Sequence, residues 1–137
     1  MNSAVLKSPV LTSRLLMVTA LLETAIGVAL LVSPAMPVWQ LLGVGLDTPG
    51  GWAAGRIAGA ALLSLGIACW LGRRDPQNHG LVAAMLVYNI SVVVVLIDAG
   101  LGLTVRGIAL WPAISLHTAL AVWCLVVLRS AVTCRAT

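Results

Sequence analysis

Polar side chains that can carry charge or protons lie inside the long apolar runs of this sequence. Glu23 is the only charged residue in the apolar run 15–32, and Asn89 and His117 lie within later runs. A charge in hydrocarbon costs at least about 2.5–3.5 kcal/mol, so such residues are rare and usually belong to a substrate, ion or proton pathway. Arg56, near the start of the second run, is the cation that could offset Glu23.

The sequence places these groups at one depth. Glu23 and Asn89 each lie nine residues inside their runs from one side, which is roughly 13 Å at ~1.5 Å per residue. His117 lies ten residues inside from the other side. Small neighbours on the same helical face, such as Ala20 and Gly27 beside Glu23, indicate faces that pack against other helices. We therefore expect Glu23 to face the interior of a helical bundle.

The charges predict how an interior pocket would be arranged. The long side chain of Arg56 can extend towards the midplane, so we expect it to be the main partner of Glu23. Asp98 competes for the same guanidinium and would form the upper rim, while Asn89 and His117 would form the floor. An unpaired Glu23 is instead expected to be neutral.

The third apolar run contributes a stripe that we expect to face this pocket. Its members recur at helical spacing and are Ala84, Tyr88, Ser91, Val95 and Asp98. The candidate ligand-binding or proton-linked residues are therefore Glu23, Arg56, Tyr88, Asn89, Asp98 and His117. Alternatively, these side chains only hold the helices together, because such interhelical hydrogen bonds are common in membrane bundles.

Other chemistry finds little support in the sequence. His117 has no second histidine within the apolar runs, so no metal-ligand set is predicted. No Gly-rich phosphate loop and no HExxH motif occurs, and the loops are too short for an external active site. No catalytic residue is predicted, and an enzyme would have to use the intramembrane residues. The cofactor stays open: the pocket could bind haem, quinone or nothing. Cys69 and Cys124 have the setting of small packing residues.

The composition explains which elements must position the polar groups. The chain has 137 residues, of which 61% are hydrophobic and 9% charged, and its mean hydropathy is +1.08. These values exclude an ordinary soluble domain and predict a single all-α membrane domain over residues 1–137. Helices are expected at about 13–33, 52–72, 80–101 and 107–130, with a short interfacial segment at 37–43. The first run resembles a signal peptide, but its length and Glu23 favour a permanent helix.

The second run also contains a close-packing pattern. Gly55 and Gly59 form a GxxxG motif, and Gly66 follows on the same face. Small residues at this spacing let two helix backbones approach. We therefore expect the second helix to pack closely against a neighbour.

The basic residues predict the orientation. The net charge is +4, and most basic residues fall on one side of a four-span arrangement: Lys7, Arg14, Arg73, Arg74, Arg129 and Arg135. The positive-inside rule then predicts a multi-pass protein of the cell inner membrane, a four-transmembrane-helix up-down bundle with cytoplasmic N and C termini. This distribution favours the lipid bilayer over nucleic acid as the partner of the positive charge.

The four-helix layout and the segment 53–76, AAGRIAGAALLSLGIACWLGRRDP, resemble small bacterial membrane proteins of the DoxX-like group. The resemblance covers residues 14–129 and implies a subunit or partner of a membrane redox system. We accordingly expect a non-enzymatic bundle that binds a small amphipathic molecule or serves as an accessory subunit, and a homo-oligomer also stays open.

A second resemblance concerns the first run alone. LLETAIG, residues 21–27, is similar to the first helix of small multidrug resistance transporters, which carries an embedded glutamate. It implies a proton-coupled transporter that uses Glu23. Those proteins lack an equivalent of Arg56, and this chain lacks their substrate face rich in Tyr and Trp. An arginine that neutralised Glu23 would remove the free carboxyl that proton exchange requires.

Overall fold

The computed structural model describes residues 3–75, 77–102 and 106–135, and every secondary-structure element in this part of the chain is a helix. Five helices follow in chain order: α1 (Ser3–Val32), α2 (Ala35–Leu42), α3 (Pro49–Gly72), α4 (His79–Gly102) and α5 (Leu110–Arg135). All but α2 are long and apolar enough to cross a membrane. The prediction of four apolar helices of spanning length is confirmed.

The first helix begins earlier than the sequence suggested. We expected a start near residue 13, but α1 begins at Ser3, and Thr12 is a helix-interior residue with 2% exposure. Val10 and Leu11 continue the apolar pattern upstream of the expected start, so the helix extends through them. The last helix likewise runs on to Arg135, beyond the expected end at residue 130.

The short helix α2 lies against the turn that leads into α5. The backbone N–H of Ala109 donates to the carbonyl of Gln40 at 2.9 Å, and α2 ends at Gly43 with a φ of 72°. Gly107 contacts the backbone of Leu41 so closely that a Cβ would overlap it. Trp39 is exposed. The location of this segment at a membrane interface stays a prediction.

Glycines bring α1 and α3 into backbone contact. A Cβ built on Gly59 would lie 2.8 Å from the carbonyl oxygen of Gly27, and one on Gly66 would lie 2.9 Å from the backbone nitrogen of Thr24. Residues further along α3 therefore meet residues earlier in α1, so these two helices run in opposite directions. This confirms that the α3 glycines are a close-packing pattern.

The buried apolar residues form two clusters. The larger joins α1, α3, α4 and α5 near Arg14 and Arg73, at what we call the basic end, and comprises Leu15, Leu16, Ala20, Cys69, Val82, Met85, Leu120, Cys124 and Val127. The smaller, comprising Leu96, Leu110 and Ile114, joins α4 to α5 towards the opposite end. Cys69 and Cys124 are free, buried packing residues, as expected. Along α4, Tyr88 and Asn89 lie between members of the two clusters, and along α5 His117 does so.

The predicted inward stripe of α4 is wrong. Of its members, Ala84, Ser91, Val95 and Asp98 are exposed. The buried residues of α4 are Val82, Met85, Asn89 and Leu96. The mean hydropathy of α4 is 2.5, so the helix is apolar on nearly every side. Hydrophobic periodicity therefore could not identify its packed face.

Candidate functional site

Glu23 lies inside the bundle, as its neighbours predicted. Its side chain is 4% exposed, and Thr19 and Ala20 beside it on α1 are also buried. The small side chain of Ala20 and the α1–α3 backbone contact leave the carboxyl surrounded by other helices. A carboxyl at this position must be neutral or must find hydrogen-bond donors, because water is excluded from most of its surface.

The hydrogen-bond donor that Glu23 finds is Tyr88. The Tyr88 hydroxyl donates to Oε2 of Glu23 at 3.1 Å and so links α4 to α1. The predicted pairing of Glu23 with Arg56 is wrong: Arg56 is exposed, and among the described residues it forms no ion pair with Glu23 or with Asp98.

The packing of α1 against α3 explains the correction. Gly66 lies beside Thr24 and therefore marks the level of Glu23 on α3. Arg56 precedes Gly66 by ten residues, which is about 15 Å along the helix axis. That separation exceeds the reach of an arginine side chain. The prediction relied on the length of the Arg56 side chain, and the sequence does not show how α3 lies along α1.

Asp98 is also separate from this group. It is exposed and lies nine residues after Asn89, about 13 Å along α4. Asp98 forms no ion pair with Arg56 among the described residues, and its role at the rim of a pocket stays a prediction.

Asn89 and His117 form a second buried pair, between α4 and α5. Asn89 is fully buried, its Nδ2 donates to the carbonyl of Met85 at 2.7 Å, and its Oδ1 lies 2.7 Å from Nδ1 of His117. A carbonyl only accepts, so Met85 fixes which end of the amide faces His117. Since Oδ1 also only accepts, Nδ1 must donate. The neutral ring therefore carries its lone pair on Nε2.

The two pairs join through their rings. The Tyr88 and His117 rings meet edge to face, with centroids 5.8 Å apart and an interplanar angle of 78°. We call Glu23, Tyr88, Asn89 and His117 the Glu23 cluster. It contains an acid, a phenol and an imidazole in one contact chain across α1, α4 and α5, which are groups able to accept and donate protons.

One atom at each end of the cluster is open. Oε1 of Glu23 and Nε2 of His117 have no hydrogen-bond partner among the described residues. No fully enclosed side-chain polar atom in the described chain lacks a partner. Both atoms therefore lie at accessible surface, although their residues are largely covered.

Met85 makes a contact within the Glu23 cluster that the sequence reasoning missed. Its carbonyl orients the Asn89 amide and thereby the His117 ring. The signal was available, because a polar side chain inside a helix often bonds the carbonyl four residues earlier. Among the described residues no three His, Cys, Asp or Glu side chains are grouped to hold a metal ion.

Comparison of the chain with protein-family models, curated proteins and solved structures gives no match. The geometry of the Glu23 cluster therefore has to support any assignment of function.

Proposed function

We propose that the protein is an inner-membrane up-down bundle of four transmembrane helices that binds a small amphipathic molecule at the Glu23 cluster. The observation that carries the proposal is the state of the Glu23 carboxyl. It is buried, one oxygen accepts from Tyr88, and the other oxygen is open without a basic residue paired to it. Burying a carboxyl with only one hydrogen bond costs free energy unless a further group binds its second oxygen.

The surroundings define the chemistry of that molecule. The carboxyl oxygen offers an acceptor to an ammonium or another hydrogen-bond donor, and His117 Nε2 offers a second acceptor. Apolar residues such as Ala20 and Met85 cover the sides of the cluster. A ligand with a donor head and an apolar body matches both features. In this proposal the bundle is non-enzymatic, and DoxX-like membership would make it an accessory subunit of a membrane redox complex.

Proton-coupled transport is the second candidate function. The sequence argument against it was that Arg56 would neutralise Glu23, and the structure separates these two residues. A free carboxyl that exchanges a proton for a substrate is compatible with the bond from Tyr88, which a neutral or an ionised Glu23 can accept.

The binding proposal can be tested with two matched probes, decylamine and decanol, and purified protein in lipid nanodiscs. We expect saturable decylamine binding that weakens about tenfold in Glu23→Gln, because a hydrogen bond to a charged group is lost. Asp98→Asn is the control, since it removes an exposed carboxyl outside the cluster. Equal weakening in both variants would contradict the proposal, whereas equal binding of decylamine and decanol would show that the head group has to be a hydrogen-bond donor but not a cation.

The candidate functions differ in what else they require. Transport predicts decylamine uptake into proteoliposomes that is driven by a pH gradient and is absent in Glu23→Gln. An accessory subunit predicts a specific partner that co-purifies after mild solubilisation, without uptake. If decylamine binds but there is neither uptake nor a co-purifying partner, the protein is a ligand-binding bundle without a transport or accessory role.

The proposed orientation has its own test. Single cysteines are introduced at Asp47 and at Gln77, in a background with Cys69, Cys124 and Cys134 replaced. Both positions are exposed connections, before α3 and before α4. Cytoplasmic termini require labelling of position 47 only from outside and of position 77 only from inside. The reverse pattern would show that the orientation is wrong.

A further inference from the structure

A second site lies at the basic end of the bundle, away from the Glu23 cluster. A cavity of about 540 Å³ opens there between α1 and the connection from α3 to α4. It is lined by Pro9, Val10, Ser13, Arg14, Arg73 and Arg74. Three arginines, one serine and two apolar residues thus border one space, and no acidic residue of the described part of the chain lines it.

The arginines converge because α1 and α3 run in opposite directions. Gly66 lies beside Ala20, so residues that follow Gly66 on α3 meet residues that precede Ala20 on α1. Arg73 is thereby placed at the level of Arg14. The positive-inside rule requires basic residues on one side of the membrane, but it does not require them to surround one cavity. Like charges brought together repel, and an anion between them would remove that cost.

Arg73 is held in position within this cavity. Its guanidinium lies over the Trp70 ring, 3.4 Å from the centroid, and its Nη1 donates to the Trp70 carbonyl. Arg14 and Arg74 are exposed, and neither forms an ion pair with a described residue. One guanidinium is therefore preorganised, and two remain available for an incoming group.

We propose that this cavity binds the phosphate of an anionic phospholipid. Guanidinium groups match phosphate oxygens with paired hydrogen bonds, and the Ser13 hydroxyl can add another. Val10, which is 49% exposed, and Pro9 give the cavity an apolar wall on α1 for the glycerol and upper acyl part. Basic pockets between membrane helices recognise lipid head groups by the same chemistry.

The test uses delipidated full-length protein in an uncharged detergent. Native mass spectrometry measures how much lipid the protein binds. We expect phosphatidylglycerol to bind at least about tenfold more tightly than phosphatidylcholine, since hydrogen bonds between charged groups are the strong ones. Arg14→Gln combined with Arg74→Gln should abolish that preference. Arg106→Gln combined with Arg56→Gln removes the same charge from exposed positions outside the cavity and should preserve it.

Further variants and a second ligand make the result decisive. Val10→Asp retains every arginine but adds a negative charge to the cavity wall, and it should also abolish the preference while circular dichroism shows an unchanged helix content. Equal loss in the Arg56 and Arg106 control variant would overturn the proposal, because net charge alone would then explain binding. If inorganic phosphate bound the protein as tightly as phosphatidylglycerol does, the assignment of the site to a lipid would be overturned.

Discussion

The hydroxyl of Tyr88 donates to Oε2 of Glu23 over 3.1 Å, from α4 to α1. Extensive packing joins α1 to α3 and α4 to α5, whereas contact between the backbones of α1 and α4 is slight. This side-chain bond is therefore one of the specific links between the two helix pairs.

Removing this bond should lower the stability of the protein measurably. Tyr88→Phe and Glu23→Leu should show a coupling energy of about 0.6 kcal/mol and at most about 1.7 kcal/mol, the average and the maximum for interhelical hydrogen bonds in membranes. The measurement is a double-mutant cycle of unfolding in mixed detergent micelles. Tyr88→Phe combined with Asp98→Leu is the matched control and should be additive. A coupling of zero between Tyr88 and Glu23 would exclude a stable bond.

Loss of the Arg56 side chain should change stability little. Arg56 is exposed and makes no ion pair among the described residues, so Arg56→Leu should stay within about 0.5 kcal/mol of the original protein. Thermal unfolding in detergent measures this, and the combination with Glu23→Leu should be additive. If adding Glu23→Leu instead restored stability lost in Arg56→Leu, the two charges would be paired after all.

The α1–α3 contact should not tolerate even one added methyl group. In Gly59→Ala the new Cβ would meet backbone atoms of Gly27 and Leu31, each at 2.8 Å, so the helices must separate. Overpacking of this kind costs about 1–3 kcal/mol. Gly80→Ala is the matched control, because no atom lies within 4 Å of its added Cβ. Unfolding experiments in detergent should therefore show a loss of stability for Gly59→Ala and little change for Gly80→Ala, although the two substitutions are chemically identical.

The sequence allowed the helices and the α3 glycines to be predicted, because apolar length and small-residue spacing are local signals. It also placed Glu23 in the interior, since Ala20 and Gly27 mark a packed face. It did not allow the partner of Glu23 to be predicted. Pairing depends on how far one helix slides along another, and the position of Gly66 against Thr24 became known only from the packed structure.

Breaking the Asn89–His117 pair from one side should cost more than removing both members. Asn89→Leu leaves Nδ1 of His117 without its acceptor and frees the Met85 carbonyl, and His117→Leu leaves Oδ1 of Asn89 unpaired. An unsatisfied buried polar group costs about 1–3 kcal/mol, whereas an apolar replacement of both partners is often close to neutral. The double variant should therefore be more stable in mixed micelles than the Asn89→Leu variant. Asn89→Leu combined with Ser115→Ala, a hydroxyl bonded within α5 to the Trp111 carbonyl, is the control and should show no such recovery. A similar loss of stability in both double variants would mean that Asn89 and His117 act independently.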